Sequence, residues 1–218
     1  MILLAIDTAT ESCSAALWAN GQLFQRFSVQ ARKQAELILA FIEEILQEAK
    51  IKKTEIQGLV VARGPGAFTG VRIGISVAQG LAIALNIPVV SVSNLKTLAY
   101  LAHQQLQSKE KKTIVVATDA RMQEVYWARY RIEKGQIESK AEEKVGKAAT
   151  VKINTGEAYI GSGFHVYQEL KSFAKENPMP YETQVYSQAK DMLLMVKDDF
   201  NKQAKSIESL QAVYLREP

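Results

Sequence analysis

The chain has one cysteine, two histidines, two tryptophans and five prolines among its 218 residues. The scarcity of cysteine and histidine removes classes of function. Cys13 alone closes no disulfide within the chain, and nothing points to an oxidising compartment. His103 and His165 stand far apart, so no His/Cys cluster reaches metal-ligand spacing. A catalytic Ser or Cys needs a base beside it, and Ser12, Cys13 and Ser14 have no histidine near them in sequence. The apolar start, Met1 to Ile6, is too short and lacks the basic flank of a signal peptide. No window is long enough to span a bilayer without charges. The cytosol is the expected location.

The composition that remains is that of a globular protein with a core. It is 47% hydrophobic and 23% charged, with a net charge of +4. That balance permits nucleic-acid contact without arguing for it. The run Lys109-Glu110-Lys111-Lys112 mixes signs and reads as a solvated loop.

Ile2 to Ala9 reads as a buried strand ending at Asp7 and Thr8. Ser14 to Ala19 and Gln22 to Val29 follow, joined by Asn20-Gly21, a turn pair suited to positive φ. An amphipathic helix spans about Lys33 to Lys50, with Leu37, Ile38, Phe41, Ile42, Ile45 and Leu46 at helical spacing. The strand Gln57 to Arg63 leads through Gly64-Pro65-Gly66-Ala67-Phe68 into a helix from Thr69, its expected N-cap, to Leu85. The strand Val89 to Val92 precedes a helix capped by Ser93 or Asn94 and reaching Gln107. The opening pattern then recurs: Thr113 to Ala120 ends at Asp119, Glu124 to Ile132 follows, Lys134-Gly135 makes a turn, and Gln136 to Lys144 forms a third strand. Two copies of one unit are therefore expected in an α/β protein. Residues 1–108 form the N-terminal lobe and 109–186 the C-terminal lobe. Residues 187–218 form a helix, to about Lys205, and a tail that packs back on the first lobe. A short strand into Gly161-Ser162-Gly163 and a helix from His165 to Lys175 complete the second lobe.

The segment Gly64 to Leu85 carries the most information. Glycine inside a helix costs about 1 kcal/mol relative to alanine, so Gly70, Gly74 and Gly80 need a reason. Gly70, Gly74, Ala78 and Ala82 form one ridge of small residues, open either to the chain's own core or to a partner helix. The glycine loop follows a strand and opens a helix, the right context for a phosphate. It has no Lys-Ser/Thr, so it is no P-loop, and the next strand ends in Ser91, Ser93 and Asn94 rather than an acid for a ribose. Asp7 and Asp119, each ending a strand, are candidate Mg²⁺ and water ligands of a phosphotransferase or simple turn caps.

The segments ILLAIDTATESCSAALW, GPGAFTGVRIGISVAQGLA, ATDARMQEVYWARY and YLRE, in that order along most of the chain, closely resemble the TsaB family, also called YeaZ. The resemblance implies two lobes of the actin-like, sugar-kinase-like type with duplicated βββαβα units. It implies a non-catalytic bacterial partner of TsaD, the subunit that installs threonylcarbamoyl on the adenosine beside the tRNA anticodon. The small ATPase TsaE joins them, and tRNA is met through the complex. It further implies a homodimer when alone and a heterodimer with TsaD. TsaD carries a metal-binding histidine pair on its first long helix. The matching stretch here, Gln34 to Ile38, has none, so no metal and no glycoprotease activity are expected. No cofactor is expected on the chain itself. Asp7, Thr8, Asp119, Gly161 and Gly163 would line a vestigial nucleotide cleft, with a nucleotide possible only at a lobe or complex interface. A nucleotide-binding phosphotransferase or ATPase of the actin-like superfamily is the alternative function. The expected partner surface is the two helices Lys33–Lys50 and Thr69–Leu85, through Leu37, Phe41, Val71, Gly74, Ile75 and Ala78.

Overall fold

The computed structural model describes residues 1–30, 32–106, 112–133, 136–139 and 142–216. It divides into two units: residues 1–94 with 187–213, and residues 95–186 with 214–218.

The first unit is built on a five-stranded sheet of order β3-β2-β1-β4-β5. Its strands are β1 (Leu3–Asp7), β2 (Ser12–Ala19), β3 (Gln22–Val29), β4 (Gly58–Ala62) and β5 (Val89–Val92). The hairpin between β2 and β3 turns at Asn20 and Gly21, with φ of 53° and 78°. β1 then pairs parallel with β4, as β4 does with β5. Both central strands are buried along their whole length. That is why they read as unbroken apolar runs, since both faces of the sheet are covered. Helices α1 (Gln34–Ala49) and α2 (Phe68–Leu85) cover one face. Helices α6 (Ala189–Val196) and α7 (Phe200–Gln203) cover the other. The single helix expected over 187–205 is broken at 197–199. The break lets Phe200 drop into the core over Gly58, where a Cβ would meet its ring at 2.3 Å. The segment is further tied by main-chain bonds between Lys205 and Val89 and from Val213 N–H to the Arg63 carbonyl.

The second unit repeats the plan in shorter form. β6 (Lys112–Asp119) pairs antiparallel with β7 (Glu124–Glu133) and parallel with β10 (Ala158–Ile160). The expected third strand is two: β8 (Gln136–Ser139) covers one end of the ten-residue β7 and β9 (Lys144–Lys147) the other. Among the described residues no crossover helix matches α1. A 3₁₀ turn, Ala148–Thr150, takes its place before β10. The helix expected from His165 is likewise divided, into α4 (Gly163–Val166) and α5 (Gln168–Glu176), around an extended Tyr167. The expected turn Lys134-Gly135 and the lobe boundary near residue 108 lie outside the described residues. The contacts place the division earlier, after Asn94. The reason is α3 (Asn94–Leu106), whose Leu95, Leu98, Ala99 and Ala102 pack with Ile114, Val116 and Ala128 of the second sheet.

Candidate functional site

Asp7 closes β1 and is 1% exposed. Its Oδ1 accepts the Ala9 N–H at 2.9 Å. Its Oδ2 accepts Ser187 Oγ–H at 2.6 Å and Asn94 Nδ2–H at 2.9 Å. Asn94 in turn accepts the Gly64 N–H and donates its own N–H to the Gly64 carbonyl. Ser14 Oγ accepts the Ala189 N–H at the start of α6. One carboxylate thus joins the end of β1, the glycine loop, the start of α3 and the C-terminal segment. Burial raises its pKa above the ordinary aspartate value, against the three donors that favour its charge. Its oxygens are engaged inside the unit. This geometry does not fit an Mg²⁺ or nucleotide ligand. Thr8 is equally enclosed, donating its hydroxyl to the Gly70 carbonyl at 2.7 Å.

The glycine loop has a packing explanation. A Cβ on Gly66 would lie 2.1 Å from the Ala9 carbonyl oxygen, and one on Gly70 2.2 Å from that of Thr8. The loop runs against the backbone beyond β1, and this close packing is what Gly66 and Gly70 permit. Helix α2 starts at Phe68, with Ala67 in the N-cap position and no side-chain cap, so Thr69 does not cap it. Cys13 is buried, and burial followed by the charge of Asp7 pushes its thiol up to about 12, far from a thiolate nucleophile. Gln34, at the position compared above with a metal-binding histidine, donates Nε2–H to the Thr10 carbonyl at 2.7 Å and pins the start of α1.

In the second unit Asp119 accepts from the Arg121 N–H and from Tyr167 O–H, and pairs with the Arg121 guanidinium at 2.9 Å. Burial, then this bond, pushes the Tyr167 hydroxyl up to about 12. Gly161, at φ 119°, and Gly163 both lie against the Ala117 carbonyl, where Cβ atoms would stand 2.3 and 3.0 Å away. These two glycines serve close backbone packing within the unit. His165 bonds Thr183 Oγ1 at 2.8 Å. Among the described residues no group of three or more His, Cys, Asp or Glu could hold a metal.

The expected partner residues separate into two sets. Leu37 and Phe41 are half-buried on α1. Val71, Gly74, Ile75 and Ala78 are buried under α2, where a Cβ on Gly74 would stand 2.6 Å from Thr8 Oγ1. These four bind α2 to its own sheet and offer no surface to another chain. The ridge Gly70-Gly74-Ala78-Ala82 serves the core. A second row of small residues, Ser76, Gly80 and Ala84, runs along the outer face and is exposed. A Cβ on Gly80 would meet nothing within 4 Å. Around this row stand Phe68, 56% exposed, and Ile83, 70% exposed, with Leu39 on α1 at 59%. A shallow groove of about 440 Å³ lies at the start of α2, lined by Ala35, Phe68, Thr69, Arg72, Ile73, Ser76 and Val77. By length and composition α2 could cross a membrane, yet it carries Arg72 and its inner face is packed on β1 and β4.

An α/β chain of two related units, with its strand-end carboxylates engaged internally and an exposed apolar helix face, has the form of an actin-like, sugar-kinase-like protein. The model of the family described as TsaD, tRNA N6-adenosine threonylcarbamoyltransferase, matches residues 28–202. The chain is 37% identical over 225 residues to the Escherichia coli tRNA threonylcarbamoyladenosine biosynthesis protein TsaB, covering 99% of this chain and 95% of that one. It is 40% identical over 134 residues to the Haemophilus influenzae protein of the same description, covering 62% and 56%. The solved structure of YeaZ from Pseudomonas aeruginosa superimposes with a TM-score of 0.83 at 32% identity, covering 98% of this chain and 99% of that chain. The chain belongs to the TsaB (YeaZ) family.

Proposed function

We propose that this protein is a non-catalytic subunit of tRNA threonylcarbamoyladenosine synthesis in the cytoplasm. It binds a TsaD subunit through the outer face of α1 and α2 and supports catalysis there. The observation that carries the reading is the outward row Ser76-Gly80-Ala84 with the exposed apolar side chains beside it. A helix interior bearing an exposed glycine gives up about 1 kcal/mol. Close approach of another helix is what such a gap permits. A specific interface takes about 800 Å² from each partner, a size within reach of two helices of 16 and 18 residues. The same face serves a homodimer when TsaD is absent, so the two assemblies compete. The engagement of Asp7 supports a supporting role over a phosphotransferase one. The reading assigns the chain no resident cofactor, brings in TsaE as the ATPase of the complex, and places tRNA on the complex as a whole.

Reconstitution tests it. TsaD, TsaE, tRNA and threonylcarbamoyl-adenylate are combined with the wild-type chain, with Gly80→Leu, or without either. Modification is expected with wild type and at background level otherwise. Equal modification in all three would sink the proposal.

A further inference from the structure

Thr69, Arg72, Ile73 and Ser76 line the groove at the start of α2. Their spacing is i, i+3, i+4, i+7, the diamond of a helix surface that receives one side chain from a facing helix. Arg72 walls it on one side, its guanidinium carbon 3.5 Å from the centroid of the Phe68 ring. The groove, of about 440 Å³, is roomy enough for a branched aliphatic side chain. The other end of the same helix carries one. Ile83 is 70% exposed, more than any other large apolar side chain of α2. It lies seven residues, two turns, beyond Ser76, as Ser76 does beyond Thr69, so the three share one outer line.

Two copies related by a two-fold axis make reciprocal contacts. With the axis perpendicular to α2 and midway between Ser76 and Gly80, the helices run antiparallel. Ser76 then faces Gly80 of the second copy, two small residues where the helices come closest. Ile83 faces Ile73 of the second copy, inside the diamond. An axis through Gly80 instead sets Ile87 and Pro88, past the end of α2, over the groove. An axis along the helices sets groove against groove. Neither seats Ile83. The antiparallel pair also keeps like charges apart, since the two Arg72 positions stand about 18 Å from each other along the helices. It lays α1 over α1, where Glu43 pairs with Lys53 of its own copy, and Glu44 and Glu48 with Arg26. The two helices form a face about 27 Å long and about 20 Å wide. Its flat footprint is on the order of 500 Å², and knobs entering holes raise the buried area towards the roughly 800 Å² per partner of a stable interface.

We infer that the chain closes its own groove. In an antiparallel two-fold pair, Ile83 of each copy seats between Thr69, Arg72, Ile73 and Ser76 of the other. Self-association thereby occupies the seat that a TsaD helix takes, and the free chain is stored with its partner face covered. The shared seat rests on the reading of this face as the TsaD-binding surface, whereas the register of self-pairing does not.

The test uses the full chain. Ile83→Lys places a cation near the C-terminus of α2, where the helix tolerates it, so the fold is expected to stay intact. Sedimentation equilibrium should show self-association weakened by about tenfold or more. Ile73→Cys and Ile83→Cys are then treated with a short bifunctional maleimide, separately and mixed. Cys13 is buried and stays out of the reaction. The mixture is expected to cross-link. Neither variant is expected to do so alone, because like positions stand about 15 Å apart along the pair. TsaD in excess is expected to suppress the cross-link. Unchanged self-association of Ile83→Lys, a monomeric wild type, or cross-linking of Ile83→Cys with itself would overturn the register. A cross-link that persists with TsaD bound at saturation would overturn the shared seat. A wild-type chain that fails to bind TsaD in calorimetric titration removes the partner reading, and the cross-linking pattern still decides the register.

Discussion

Asp191, in the first turn of α6, is 5% exposed, and its Oδ2 has no hydrogen-bond partner. Burial pushes its pKa from 3.8 up to about 6, with Lys190 opposing and the charge of Asp7 adding to the rise. A carboxyl whose folded pKa exceeds its unfolded one is a liability when ionised. The difference, 6 less 3.8, corresponds to about 3 kcal/mol of lost stability above pH 7. That loss shrinks as pH falls through 6 and disappears below 3.8, where both states hold the proton. Replacing Asp191 by Asn removes the charge and keeps the shape. The new amide needs a partner of its own, worth about 1 kcal/mol if unmet. The net expectation is that Asp191→Asn is more stable than wild type by about 2 kcal/mol at pH 7.5, or on the order of 5 °C in Tm. The ionisation penalty falls by about half at pH 5, so the net advantage should fall by about two thirds. Urea denaturation of both proteins at pH 7.5, 6 and 5, at constant ionic strength, measures it. A variant less stable than wild type at pH 7.5, by an amount that stays level down to pH 5, would mean that Asp191 makes a favourable ionic contact and that the reasoning is wrong.

Gly74→Val is expected to lower the stability of the first unit by about 1–3 kcal/mol, because its Cβ falls on the Thr8 hydroxyl; chemical denaturation reads this directly. Asp7→Ala strands the Ser187, Asn94 and Ala9 donors and is expected to cost about 2–4 kcal/mol. Limited proteolysis should then cut within 187–213 well before wild type is cut, and an unchanged cleavage pattern would remove Asp7 from its role as a junction. Gly80→Leu gains helix propensity and meets no neighbour. It should melt within about 2 °C of wild type or higher yet lose both TsaD binding and self-association, measured by co-purification and light scattering.

The strand order of the first unit was legible because its signals are local. Buried strands without alternation, the Asn20-Gly21 turn and the α1 stripe each constrain one element. The break at 197–199 was not, because it exists to seat Phe200 over Gly58, a contact between residues far apart in sequence. The split of the third strand was hidden for a similar reason, since β8 and β9 are defined by the two ends of β7. The partner face shows the limit most clearly. Helix α2 has two rows of small residues at a spacing of four, 70-74-78-82 and 76-80-84, and apolar side chains beside both. Periodicity establishes that such rows exist and does not say which one the sheet covers. Composition did hold a discriminating signal. Extending the second row back by one turn reaches Arg72, while extension of the first meets no charge. A guanidinium is seldom buried against a sheet's own core. The row that contains it is therefore the one turned outward. Applied to the sequence, that rule exchanges Val71, Gly74, Ile75 and Ala78 for Arg72, Ser76, Gly80 and Ala84, and moves the proposed partner contact from the inner side of α2 to the outer.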